Sequence, residues 1–276
     1  MRLLPKTVHF INLDAAVERR IAVEKSFEDT LPHAWTLKRF PAKEARDAEN
    51  MSGFLTAGQK ACFLSHQQII QSTLENDAHE MIIEDDCSFS KSAFRIIDEV
   101  TDGLDENIWD ILFLEVGIFD PKKMIDLMLD RNRFAKTKEF GFLDLSALNW
   151  FGALSYLVNR RSKLKVLDCL KKLRRLDIPY DLALRDLFQS GELKGLVIFP
   201  FVATPSVHAK QSQLAEDKTR LTDETWIAFR NLMFLDRNID ELAARVARIE
   251  TSNCDIESRI FGGILASCLS SQFVPK

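Results

Sequence analysis

The sequence predicts an α/β fold built on a mostly parallel sheet, and three stretches of the chain support this. Residues 8–13 are largely apolar and predict a first strand, and a helix is expected directly after it at 17–30. Residues 58–77 predict a second helix with one apolar side, and the run Met81-Ile82-Ile83 that follows is typical of a fully buried strand. Strands that alternate with helices in this way form parallel sheets.

The later elements are predicted from the same patterns. Residues 35–41 are expected to form a strand whose Pro41 places its end at an edge or a turn. Residues 42–57 are polar and irregular, which favours a loop over the sheet, and 118–145 are expected to be a weakly helical insertion that covers the site. Further strands are expected at 109–114, 149–158 and 195–201, and further helices at 92–100, 160–173, 182–189 and 223–249.

Composition narrows the class of protein. The 276 residues carry a net charge of −4, which argues against nonspecific nucleic-acid binding, since that needs a basic face. The five cysteines are odd in number and widely spaced and include no CxxC pair, so they indicate neither a zinc site nor a disulfide framework. A reducing cytoplasm is the expected location. Residues 1–8 lack the apolar core of a signal peptide, and no run approaches the roughly 20 apolar residues of a membrane span.

Three adjacent acids follow the buried strand of residues 81–83. Glu84, Asp85 and Asp86 lie where ligands bind in open α/β sheets, beyond the carboxyl end of a strand. Because adjacent carboxylates repel one another, a divalent cation such as Mg²⁺ or Mn²⁺ would favour this arrangement and would in turn bind phosphate oxygens. A solvated loop or a helix N-terminus is the alternative explanation.

If this protein binds phosphate, side chains have to bind it in place of the backbone N–H groups of a glycine-rich loop. No glycine-rich loop follows the first predicted strand, so neither a dinucleotide fingerprint nor a P-loop is present there. Arg19 and Arg20, at the start of the first helix, are the nearest candidate cations, although a solvated helix face would explain either arginine equally well.

The motifs resemble those of glycosyltransferase family 25, the lipopolysaccharide and lipooligosaccharide galactosyltransferases, which also contains the collagen galactosyltransferases. FINLDAAVERR at 10–20, LTAGQKACFLSH at 55–66 and MIIEDDCSF at 81–89 carry the resemblance. Weaker matches follow at 153–167 and 178–188, in the family's order. The resemblance implies a GT-A type nucleotide-sugar-binding domain at 1–215, with residues 216–276 as a helical C-terminal extension.

The resemblance also implies an activity. We expect a metal-dependent, inverting transfer of a sugar, usually galactose in this family, from a UDP-sugar to a bacterial lipopolysaccharide-type glycan or glycolipid acceptor. The metal would be Mn²⁺ or Mg²⁺, held by Asp86, Glu84 and His208. A catalytically silent nucleotide-sugar-binding module and a nucleotidyl or phosphoryl transferase are the alternatives.

Further roles follow from the resemblance and from position along the chain. Asp181 is the expected base and also the expected N-cap of the helix 182–189, and Glu115, at a strand end, is the second candidate base. The other residues expected at the donor are, in chain order, Asn12, Leu13, Arg19, Arg20, Ser65, His66, Glu84 and Asp85.

The tail has two expected roles. Amphipathic spacing over 223–249 and an apolar segment at 254–270 favour packing or formation of a homodimer. Peripheral attachment to the inner face of the inner membrane is the second, because the implied acceptor is carried by a lipid. Acids are as common as bases on the polar side of this tail, so its attraction to anionic lipids should be weak.

Overall fold

A computed structural model describes residues 6–28, 34–137, 139–206, 221–240 and 242–244. The main sheet has seven strands, and five of them run in the same direction. The predicted α/β class with a mixed, mostly parallel sheet is therefore confirmed. The sheet order is β2(Trp35–Pro41), β1(Lys6–Asn12), β3(Glu80–Glu84), β9(Ser155–Val158), β5(Ile111–Phe113), β10(Gly195–Phe199) and β7(Gly141–Asp144).

Helices cover both faces of this sheet, and two-stranded ribbons extend it at the end that carries the acidic run. The helices are α1(Val17–Glu28), α2(Ala57–Ser72), α3(Ala93–Gly103), α4(Pro121–Thr137), α5(Lys163–Lys172), α6(Tyr180–Gln189) and α7(Leu221–Met233). The ribbons pair β4(Cys87–Phe89) with β11(Ala203–Pro205) and β6(Gly117–Ile118) with β8(Trp150–Phe151). A short 3-10 helix spans Ala45–Ala48 and another spans Leu145–Ala147.

Alternation along the strands divides the core into two apolar layers. Ile82 and Phe113 face the layer that α2, α5 and α6 cover, whereas Met81 and Leu112 face the layer beneath α1 and α3. Both layers are fully buried at these positions. The central strands are therefore apolar on both faces, as the run at 81–83 predicts.

The segment 118–145 differs from its prediction. It contains the 17-residue helix α4 and then β7, which pairs with β10 at the edge of the main sheet, so it belongs to the fold and is not a cover. The charged stretch misled the prediction because Arg131 is buried and donates hydrogen bonds to the backbone oxygens of Phe234 and Leu235, both at 3.2 Å. Leu127 of the same helix is fully buried.

Two further predicted boundaries differ from the structure. Residues 203–205, expected in a loop, form β11. The helix expected at 223–249 ends at Met233, where Phe234 forms a bridge with Phe201 and interrupts the amphipathic pattern. Segment 254–270 and the predicted domain boundary at 215/216 lie outside the described residues, so the predictions of a separate tail, dimerisation and peripheral attachment stay predictions.

Candidate active site

The acidic run lies at the carboxyl end of β3, where the chain turns towards β4. Glu84 is the last strand residue, and Asp85 and Asp86 are buried in the turn. One terminal nitrogen of Arg19 contacts both aspartates, at 3.0 Å from Asp85 Oδ1 and 2.8 Å from Asp86 Oδ2. Arg19, one of the two arginines expected here, therefore offsets the charge of the run.

Burial acts strongly on these carboxyl groups. It raises the pKa of Asp85, and together with the negative charge of Glu84 it raises the pKa of Asp86 to about 7. Among the described residues, the second oxygen of Asp86, Oδ1, is buried without a hydrogen-bond donor. A buried carboxylate oxygen with no partner is costly, so this position favours a further cation.

The end of β1 orients the acidic run. The Asn12 side-chain amide donates to Asp85 Oδ2 at 2.7 Å and to the Ala16 carbonyl at 3.1 Å, and its oxygen accepts from Arg39 Nε at 3.0 Å. Both N–H groups of the amide are thus occupied within the protein. Asn12 lines neither cavity, which argues against its contact with the nucleoside, whereas Leu13 lines the larger one.

Helix α2 places Ser65 and His66 on the wall of a cavity, and their contact with the donor stays a prediction. Thr56 caps this helix, and its hydroxyl accepts from Gln59 N–H in a capping box. Ser65 is fully buried; its hydroxyl donates to Ala61 O and accepts from Lys43 N–H, both at 2.9 Å. Ser65 therefore fixes the loop after β2 against the helix.

His66 belongs to a buried chain of three polar rings. Its Nδ1 lies 2.9 Å from the Tyr156 hydroxyl, which lies 2.9 Å from the Tyr180 hydroxyl. The imidazole also stacks on the Tyr180 ring, with centroids 4.4 Å apart and planes 9° from parallel. Burial raises the pKa of both phenols, so they remain neutral hydrogen-bonding groups.

The other ring nitrogen of His66 faces Glu84. Nε2 lies 3.6 Å from Glu84 Oε1, which is an ion-pair distance and too long for a hydrogen bond. Burial opposes ionisation of Glu84, but His66, and then Arg19 and Arg230, outweigh it and lower the pKa of this carboxyl group. Glu84 is therefore an anion in the wall of the site.

Two cavities meet at these residues. One, of about 430 Å³, lies between the end of β1, the loop after β2 and α2, and Leu13, Arg19 and Ser65 line it. The other, of about 290 Å³, lies below α6 and α7, and Asp181 and Arg230 line it. Cys62, His66, Glu84 and Asp86 line both cavities.

Asp181 faces the smaller cavity, although its predicted capping role is wrong. Helix α6 begins one residue earlier, at Tyr180, and Pro179 is its N-cap. The Asp181 carboxylate instead accepts a hydrogen bond from Gly152 N–H at 2.6 Å. Gly152 has a φ of 93°, a conformation that favours glycine, so this local backbone geometry serves to hold Asp181 in place.

Glu115, the second candidate base, is fully buried and does not line either cavity. Both of its carboxylate oxygens accept hydrogen bonds from Arg230 of α7. Because neither oxygen is accessible to an acceptor, the geometry argues against Glu115 as the base. Arg230, which sequence reasoning missed, is instead held at the cavity by Glu115.

Two of the predicted site residues, Arg20 and His208, add no contact to the site that the structure describes. Arg20 is half-buried, lines neither cavity and forms no ion pair among the residues described. His208, the expected third metal ligand, lies outside the described ranges. The carboxylates of Asp86 and Glu84, with the partnerless Asp86 Oδ1, fit the oxygen-donor set that Mg²⁺ or Mn²⁺ prefers.

Comparison with known proteins identifies the matched part of the chain. Residues 6–184 match the family model described as glycosyltransferase family 25 (LPS biosynthesis protein). No curated relative matches the chain. The crystal structure of mouse xyloside xylosyltransferase 1, in its apo form, is similar at 10% identity with a TM-score of 0.32. The alignment covers 68% of this chain and 63% of that one, and the likeness is too distant to assign residues.

Within the part of the chain that the structure describes, no helix is both long enough and apolar enough to cross a lipid bilayer.

Proposed function

The chain belongs to glycosyltransferase family 25, and on that basis we propose that it transfers galactose from a UDP-sugar to a lipopolysaccharide-type glycan, with inversion at the anomeric carbon. The observation that carries the proposal is the pair of cavities that share Glu84 and Asp86 as a common wall. A two-substrate transfer needs adjoining donor and acceptor sites whose reacting atoms meet at one place.

The larger cavity is the proposed donor site. Its wall includes the apolar side chains of Ile11 and Leu13, which suit a flat base, and also the carboxylates of Asp85 and Asp86. In this proposal Asn12 positions Asp85 and does not touch the donor. Arg19 contacts both aspartates, and its positive charge offsets their repulsion of an anionic diphosphate nearby.

The smaller cavity is the proposed acceptor site, with Asp181 as the base. During transfer the acceptor oxygen forms a bond to the anomeric carbon while the bond from that carbon to the β-phosphate oxygen breaks. The bonding electrons leave with UDP, and Asp181 takes the hydroxyl proton. The hydrogen bond from Gly152 N–H leaves the second carboxylate oxygen of Asp181 to accept that proton.

Charge at the junction supports departure of the diphosphate. Arg230 lines the smaller cavity, and its two bonds to buried Glu115 hold the guanidinium near the acidic run. Asp86 and Glu84, with His208 as the predicted third ligand, would hold the divalent cation. When bound, such a cation stabilises negative charge that develops on a leaving diphosphate.

The test measures UDP binding and UDP release in the same samples. Wild-type protein is assayed with a panel of UDP-sugars and an oligosaccharide acceptor, with and without Mn²⁺, beside Asp181→Asn. The asparagine retains an oxygen that can accept from Gly152, so folding should be kept. Loss of general-base catalysis should lower kcat by about 10² to 10⁴-fold and leave UDP affinity unchanged.

Asp186→Asn is the matched control, because Asp186 lies on the same helix and is exposed to solvent. Its kcat should equal that of wild type. If Asp181→Asn turns over at the wild-type rate, Asp181 is not the base. If the wild-type protein does not bind UDP, the larger cavity is not the donor site.

A further inference from the structure

Three potential metal ligands of mixed chemistry converge on the wall between the cavities. The Cys62 thiol, a His66 ring nitrogen and a Glu84 carboxylate oxygen all lie within 4.8 Å of one another. Cys62 and His66 are four residues apart on α2 and therefore share one face of the helix, while Glu84 reaches them from the end of β3. The set belongs to two rigid elements and includes no loop residue.

The His66 nitrogen provides an independent indication of a ligand. His66 is fully buried, and among the described residues its Nε2 has no hydrogen-bond partner. A buried polar nitrogen is rarely left without one, so the position calls for an occupant. The nitrogen points to the Glu84 oxygen 3.6 Å away, a spacing close to the separation of about 3.4 Å expected for nitrogen and oxygen ligands on one tetrahedral zinc ion.

The tyrosine pair gives the histidine the arrangement that metal ligands need. An Nδ1–H can donate to the Tyr156 oxygen, and Tyr156 can donate in turn to Tyr180, each over 2.9 Å. In that tautomer Nε2 presents its lone pair to Cys62 and Glu84. A histidine ligand commonly donates its other N–H in this way, which fixes both ring orientation and tautomer.

We propose that Cys62, His66 and Glu84 form a zinc site, which shares only Glu84 with the oxygen-ligand set around Asp86, and that zinc bound there inhibits transfer by occupying the junction of the two cavities. A thiolate and an imidazole favour Zn²⁺ over Mg²⁺ or Mn²⁺. The thiol proton leaves to solvent on binding. Three protein ligands leave the fourth position of a tetrahedral ion open to the cavities.

Zinc binding rests on these three side chains alone, whereas inhibition rests also on the proposed function. The three ligand atoms lie within 4.8 Å of one another, and this limit exceeds the separation in a tetrahedral site by on the order of 1 Å, a distance that rotation of a side chain can close.

Cobalt provides a direct probe of the proposed site in the full chain. Titration of reduced protein with Co²⁺ should produce a near-ultraviolet thiolate-to-cobalt charge-transfer band that Zn²⁺ abolishes and excess Mg²⁺ does not. Cys62→Ser should lose the band, and its zinc affinity in equilibrium dialysis should fall at least about 10-fold. Loss of a residue that only holds a ligand in place already lowers metal affinity by about that much, so loss of a ligand itself should cost no less. Cys169→Ser is the matched control, because Cys169 is a buried free cysteine on α5, outside both cavities.

The outcomes separate the site from other thiols and from the transferase proposal. A band that survives in Cys62→Ser would come from another cysteine and would refute the site, as would the absence of a band in folded wild type. Cys62→Ala, checked by circular dichroism, guards against misfolding of the serine variant. UDP binding in the same samples tests the donor site separately, since zinc binding does not depend on turnover.

Inhibition is then measured as the ratio of rates with and without zinc in each variant. Zinc should lower the rate of wild type and of Cys169→Ser. In Cys62→Ser the concentration for half inhibition should rise at least about 10-fold, in parallel with the loss of affinity. Equal inhibition of all three proteins would refute the inhibitory role and would leave the binding result intact.

Discussion

Replacing Arg230 with methionine should destabilise the protein far more than the loss of an ordinary ion pair. Glu115 is fully buried, and both of its carboxylate oxygens receive hydrogen bonds from Arg230. Methionine fills much of the same volume but leaves an unpaired buried charge. Breaking a buried pair in this way costs about 3 to 5 kcal/mol. In a chain of this size such a loss corresponds to a fall in Tm of about 10 °C.

Urea unfolding followed by circular dichroism provides the measurement, with a double variant and a surface control. Glu115→Met combined with Arg230→Met removes both charges and should recover most of the loss, because apolar replacement of a buried pair is often close to neutral. Arg161→Met breaks an ion pair with Glu106 in which Arg161 is 61% exposed, and should change the free energy of unfolding by less than about 1 kcal/mol.

Two results would refute this reasoning. One is a loss below about 1 kcal/mol in Arg230→Met, which would mean that water or rearrangement satisfies Glu115. The other is a double variant whose loss equals the sum of the losses in Arg230→Met and in Glu115→Met measured alone, which would mean that the residues stabilise the fold independently.

Three further predictions concern the site and its surroundings. Gly152→Ala should lower kcat as well as stability, because alanine is strained at a φ of 93° and the N–H that holds Asp181 would move. Gly191→Ala is the control, because Gly191 has a φ of 77° in open space and its replacement should lower stability alone. The same kcat in both variants would contradict this prediction. Tyr156→Phe should destabilise the protein by about 2 kcal/mol in urea unfolding, since two buried polar rings each lose a partner; an unchanged midpoint would show that they find others. Burial lowers the pKa of His79 to about 4 in the folded protein. In the unfolded chain this histidine is protonated below about pH 6.5, whereas in the folded protein it stays neutral down to about pH 4. Stability should therefore fall by about 3 kcal/mol as the pH drops through this window, and His79→Gln should remove that part of the pH dependence when unfolding is measured at both limits.

The sequence determined most of the sheet and the location of the site. Periodicity within short segments reports which residues face a core, and β1, α2 and β3 were therefore predicted within a few residues of their observed bounds. The acids of the run and Asp181 carry their own chemistry, and each is found on the wall of a cavity. Segment 118–145 was misread because a buried arginine looks like a solvated one in sequence.

Only the tertiary structure decided which of these groups meet and what each one contacts. Glu115 and Arg230 are 115 residues apart, so no local pattern links a strand-end glutamate to an arginine on α7. Asn12 precedes Asp85 by 73 residues, and the hydrogen bond between them exists because β1 and β3 are neighbours in the sheet. Local sequence sets the conformation of each segment, whereas partners across the chain are set by how the elements pack, which requires the whole fold.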